Sequence, residues 1–177
     1  MRQHRLIVIF FFLISNIAYA SDNPFASFIG DWTLKEGKFQ RSLDGKKVET
    51  FEIPHHLTRC EEINTKGSIL CISDWGELEG HSLWTFDSKR SQIHQLSHFG
   101  ETRNGVGIGA FEKGSNLSIK VYFQDDADGI YRIYTYTWIS KNEYAMVSRQ
   151  YDNRQKYTGD WYGGTFVRIP KDSPINN

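Results

Sequence analysis

The sequence predicts an all-β fold, a single antiparallel up-and-down β-barrel of about ten strands. Three observations carry the prediction. After the first twenty residues, ten or eleven short runs rich in β-branched and aromatic residues follow one another, with turn-forming residues between them at intervals of roughly 8–14 positions. No helical periodicity interrupts these runs. Consecutive runs joined by short turns favour a meander, and closing the meander removes the exposed edges that so many ladders would leave.

The N-terminus is read separately. Arg2 and Arg5 precede an unbroken apolar run, Leu6–Ile14, and Ala18-Tyr19-Ala20 offers small residues at a cleavage position before Ser21. That is the pattern of a secretory signal peptide over residues 1–20. The run is shorter than the ~20 residues a membrane span needs, and no later segment is apolar enough to span a bilayer. The expectation is a periplasmic or secreted protein with no stable membrane anchor after cleavage. Residues 21–27 form a short leader, residues 28–170 the barrel domain, and residues 171–177 a polar tail. The whole chain balances 21 basic against 21 acidic residues. Loss of Arg2 and Arg5 leaves a net charge of −2, so there is no basic excess to neutralise phosphates, and nucleic acid is excluded as a partner class.

Phe28 opens the first strand, which is expected to run to about Gln40. Ser42-Leu43-Asp44-Gly45 turns the chain into Val48–Ile53, and Pro54 ends that strand because it cannot donate to a ladder. Arg59–Ser73 reads as a hairpin turning at Asn64-Thr65-Lys66-Gly67. If Asn64 pairs with Gly67, Cys60 falls directly opposite Cys71, about 5 Å away at Cα and within disulfide range. In an oxidising compartment these two form a disulfide. The loop it closes is short, so its contribution to stability is modest. Asp74–Gly80 is a loop. His81–Asp87 and Gln92–Phe99 form the next hairpin, Gly105–Glu112 and Leu117–Gln124 another, and Asp125–Gly129 is an acidic turn.

The stretch Ile130–Tyr151 is the most informative. Ile130–Ile139 and Tyr144–Tyr151 are two strands about a turn at Ser140–Glu143. Arg132, Tyr134, Tyr136 and Trp138 share one face, and Ile133, Thr135, Thr137 and Ile139 the other. Adjacent large aromatics are costly to leave in water, each burying ~150–250 Å², so the Arg132–Trp138 face is expected to point inward and form the floor of a ligand site. An inward Arg132 needs an anion or acceptors, which the chain or a ligand carboxylate could supply, with Tyr134 beside it. The last strand is Trp161–Ile169.

Among the histidines, His94 and His98 are four apart, which on a strand separates them by ~13 Å. That is too far for one metal ion with both nitrogens at ~2 Å, so no metal site is expected. Both share a face with Leu96 and are expected to line the cavity. His55 and His56 point to opposite faces. No Gly-x-Ser-x-Gly elbow is present, and the aspartates of the acidic turn lack the twelfth-position acid of a calcium loop.

At Gly30-Asp31-Trp32 the chain resembles the calycin group, the lipocalins and fatty-acid-binding proteins, whose barrels begin with Gly-x-Trp. With Trp84-Thr85-Phe86-Asp87, Tyr136-Thr137-Trp138 and the terminal Trp161-Tyr162-Gly163-Gly164-Thr165-Phe166, it resembles an uncharacterised family of exported bacterial lipocalin-like proteins. The resemblance implies a barrel with an internal cavity and offers no catalytic residue to carry over to this chain; the expected ligand is a small apolar or amphipathic molecule, and no cofactor is expected. Arg132 and Tyr134 match the Arg-x-Tyr that holds a ligand carboxylate in fatty-acid-binding barrels. The haem-binding members share a longer Gly-x-Trp-x-Gly-x-Gly opening and a late-strand His, both missing here. Two other readings stand beside ligand binding: a small-molecule enzyme using His94, His98 or Arg132 in the same cavity, and an envelope structural or interaction protein with a filled barrel.

Overall fold

Alternation along the strands sorts the side chains into an inner and an outer set, and hydrogen bonding closes the strands into a ring. The computed structural model describes residues 23–171 apart from 65–66, 77–78 and 114–115. The signal peptide and most of the tail lie outside the described residues. Strands β1 (Gly30–Leu34), β2 (Lys38–Ser42), β3 (Glu49–Glu52), β4 (Leu57–Asn64), β5 (Ser68–Asp74), β6 (Glu79–Asp87), β7 (Gln92–Phe99), β8 (Arg103–Phe111), β9 (Leu117–Phe123), β10 (Tyr131–Ser140), β11 (Glu143–Tyr151) and β12 (Tyr157–Arg168) follow in chain order. From β4 to β12 each strand pairs antiparallel with the next, and β1 lies between β4 and β12, closing a ten-stranded up-and-down barrel. No α-helix occurs among the described residues.

The expected first strand is broken. Lys35–Gly37 forms a 3₁₀ turn with Glu36 at φ 54° and Gly37 at φ 64°. Left-handed backbone cannot continue a ladder, and glycine takes it at little cost. The break lets one chain segment meet β12 twice. β1 pairs at its C-terminal end (Trp32 opposite Arg168), and β2 pairs further back (Trp161 opposite Ser42). The β2–β3 hairpin therefore flanks the closed ring.

Within residues 23–27, expected to be a short leader, Asn23 and Phe25 are buried. Phe25 is fully buried, with its ring 5.3 Å from Phe111 and 5.9 Å from Trp84. The Asn23 side-chain oxygen accepts from the Phe25 N–H at 2.9 Å, and a 3₁₀ turn over Ala26–Phe28 follows. The segment plugs the barrel end that Trp32 occupies. Trp32 is fully buried; its indole N–H donates to the Phe28 carbonyl at 2.8 Å, and the Arg168 guanidinium lies 4.2 Å from the ring centre. Arg168 also donates to the Ser27 carbonyl at 2.7 Å, tying the last strand to the plug.

Cys60 and Cys71 are directly opposite on β4 and β5 and are disulfide-bonded, with Cα atoms 4.0 Å apart. The turn differs from expectation: Asn64 pairs with Ser68, not Gly67, because the register shifts at a bulge between Glu62 and Asn64. Thr65 and Lys66 lie outside the described residues. The bridge closes a loop with a sequence separation of 11, so replacing both cysteines with alanine is expected to cost ~2–3 kcal/mol through the freer unfolded chain. Urea melts of the variant against the oxidised protein measure it.

Candidate functional site: an aromatic cavity inside the barrel

The inner faces of β10, β11 and β12 supply one wall of the site. Tyr134 and Tyr136 on β10, Tyr144 and Met146 on β11, and Tyr162 and Phe166 on β12 point into a cavity of about 410 Å³. Trp84 of β6, Phe39 and Phe51 of the flanking hairpin and Trp75 of the β5–β6 loop complete an aromatic wall. The rings meet edge-on or tilted for the most part, for example Trp84 and Tyr136 at 5.1 Å and Phe39 and Trp75 at 4.9 Å, geometries that aromatic quadrupoles prefer. A volume of this size lies within the range of small-molecule sites.

Arg132, Tyr134, Tyr136 and Trp138 all point inward, but they divide by role. Tyr134 and Tyr136 line the cavity. Trp138 packs behind it, with its ring 4.9 Å from Phe28 and 5.7 Å from Trp32. Arg132 is 5% exposed and already has an anion: its Nη2 donates to Asp160 Oδ1 at 2.7 Å and its Nη1 to Ser148 Oγ at 3.4 Å. The guanidinium also lies 4.6 Å from the centre of the Tyr162 ring. A paired guanidinium behind a tyrosine gains little from a second carboxylate. The expected carboxylate-holding role of Arg132 is therefore not what its geometry favours. Tyr134 likewise spends its hydroxyl on a short hydrogen bond with the Tyr162 hydroxyl. Burial pushes the Tyr134, Tyr136 and Tyr144 phenols upward, with the neighbouring Tyr162 raising the first two further. All three stay neutral.

His94 and His98 do not reach the cavity, which corrects the expectation from the sequence. Strand β7 turns Ile93, Gln95 and Ser97 inward and leaves His94 exposed beside a Leu96 that is 56% exposed. His98 lies on the same outer face, where its Nδ1 hydrogen-bonds the Asn104 side-chain oxygen at 2.7 Å. Among the described residues no group of three or more His, Cys, Asp or Glu side chains is placed to hold a metal ion.

The structure adds a polar chain that the sequence did not single out. Buried His56 Nε2 hydrogen-bonds Thr58 Oγ1 at 3.2 Å, and Thr58 Oγ1 hydrogen-bonds Ser73 Oγ at 2.9 Å. Thr58 and Ser73 sit opposite each other on β4 and β5 and both line the cavity. Burial lowers the His56 pKa from its ordinary 6.5 to about 4, against a small opposing pull from Asp74, so His56 is neutral in the native protein. The unfolded chain takes up a proton near pH 6.5 that the folded chain resists until about pH 4. The stability that neutral His56 confers is thus fully present above about 6.5 and is lost as pH falls through that window, on the order of 3 kcal/mol in all. Urea melts between about pH 7 and pH 4.5 should show this slope, and His56→Gln should flatten it.

No protein-family model matches the chain, and no curated protein matches it. The chain aligns with several solved structures, two of them to the following extent. The structure of EF1p2_mFAP2b bound to DFHBI aligns at 9% identity over 85% of this chain and 100% of that one, with a TM-score of 0.38. A protein of unknown function of the DUF3598 family from Nostoc punctiforme PCC 73102 aligns at 9% identity over 85% of this chain and 99% of that one, with a TM-score of 0.23.

Proposed function

We propose that this barrel binds one small, neutral and mainly apolar molecule in its interior cavity, as an exported lipocalin-like carrier. The observation that carries the reading is the lining itself: mainly aromatic rings, with polar groups that already have partners, Tyr134 with Tyr162, Thr58 with Ser73, Arg41 with Glu49, and Arg103 with Asp125 and Asp126. Such a wall rewards apolar area and edge-to-face ring contacts. The hydroxyl pairs can each accept or donate one more hydrogen bond to a polar end of the ligand. Tyr134 and Tyr136 are the binding residues proposed from β10, with Arg132 and Trp138 supporting them from behind. An open cavity of this volume disfavours the filled-barrel reading. The Cys60–Cys71 disulfide and the apolar run at the N-terminus support export.

Nile red, a neutral apolar dye, tests this directly. Saturable binding of one dye per chain is expected. Ser82→Phe, which fills the cavity from β6, should abolish it while leaving the far-UV circular dichroism unchanged. Dye binding unaffected by Ser82→Phe would place the dye on the surface and refute the reading. Native mass spectrometry of the purified protein is expected to show a co-purified neutral molecule.

A further inference from the structure

The outer wall of the barrel carries a second feature that ligand binding does not use. Six consecutive strands, β4 to β9, align one row of outward side chains in direct register: Glu61, Leu70, Leu83, Leu96, Val106 and Tyr122. Val106 is 59% exposed, and Ile72 and Ile108 in the adjoining rows are 53% and 49% exposed. Three rows across these strands cover roughly 24 by 20 Å, about 480 Å², from the ordinary strand and residue spacings. The largest exposed apolar patch of a monomer is often a functional contact. A shallow depression in the same face, lined by Leu70, Leu83 and Leu96 among others, means that it does not bulge away from a flat partner.

We infer that this wall is the contact surface for a second copy of the same chain. Charge placement selects that occupant. The formal charges of the three rows stand at the flanks: on β4 Glu61 and an Arg59 already paired with Asp31, and on β9, one row from Glu61, Lys120, with His81, His94 and His98 between them. A two-fold axis parallel to the strands between β6 and β7 lays β4 of one copy over β9 of its partner. Each Glu61 then faces the region of a Lys120, Leu70 covers Val106, and Leu83 covers Leu96. The interface is isologous and self-complementary, and the two twisted sheets pack face to face as in a sandwich. The roughly 480 Å² of the three rows, apolar along the middle row and more polar beside it, lies within the ~800 Å² per partner of a standard interface. A lipid surface fits less well, because anionic headgroups need a cationic rim and the β4 flank carries Glu61 beside an Arg59 already paired with Asp31.

Sedimentation velocity on the purified protein tests the inference. A concentration-dependent dimer is expected. Leu96→Lys, at an exposed position, should raise its dissociation constant on the order of 100-fold while leaving circular dichroism and Nile red binding unchanged. Glu61→Lys should weaken the dimer, and adding Lys120→Glu should restore it. A monomer persisting to roughly 100 µM, dimerisation that ignores Leu96→Lys, or flotation of the protein with phosphatidylcholine vesicles that Leu96→Lys abolishes would each overturn it.

Discussion

Trp32→Ala is expected to destabilise the barrel by ~3–5 kcal/mol. The indole is fully buried, donates to the Phe28 carbonyl and contacts Trp138 and Tyr144, whose ring centres lie 5.7 and 4.8 Å away. Removing it opens a large void at the closed end. It also takes away the ring face on which Arg168 lies, loosening the tie between the last strand and the N-terminal plug. Trp32 does not line the cavity, so the fraction that remains folded should still bind Nile red. A urea-melt loss under ~1 kcal/mol would show that the plug stands without the indole.

The second large effect concerns a charge. Asp160→Ala is expected to cost ~2–4 kcal/mol, because it leaves the buried Arg132 guanidinium with only the long hydrogen bond to Ser148. The figure sits slightly below that for a fully sealed pair because the Asp160 side chain keeps 22% of its exposure. Arg132→Met in the same background removes the orphaned charge while keeping its bulk, so the double variant should be more stable than Asp160→Ala alone. A double-mutant cycle of urea melts reads this coupling. A double variant no more stable than Asp160→Ala would mean that Arg132 is satisfied by another group.

The sequence carried the architecture because the signals that set it are local. Period-two alternation and turn residues located the strands, and the cross-strand position of Cys60 and Cys71 followed from counting outward from a turn, even with a bulge near its tip. The inward face of β10 was legible from the size of its side chains. The partner of Arg132 was not. Asp160 falls just before the expected last strand, Trp161–Ile169, whereas β12 begins at Tyr157 and places Asp160 on the same inward parity as Tyr162 and Phe166. His56 was set aside because its role depends on Thr58 meeting Ser73 across two strands, a pairing between side chains fifteen positions apart. The histidines of β7 were misplaced for a different reason. Leu96 suggested an inward face, but this strand inverts the usual rule, with Gln95 and Ser97 buried and Leu96 exposed. That inversion belongs with the apolar wall on the outside of the barrel.

The central claim is that the cavity selects neutral apolar molecules and that Arg132 serves the fold and not a ligand carboxylate. Competition against bound Nile red by decanol and by decanoate, a pair alike in chain length and different in charge, tests it most directly. Decanol is expected to displace the dye at least as well as decanoate. Conservative replacement of Arg132 together with Asp160 is expected to leave the ratio of the two unchanged. Displacement by decanoate at concentrations ten-fold or more below those of decanol, about 1.4 kcal/mol in its favour, and lost on replacing Arg132, would contradict it.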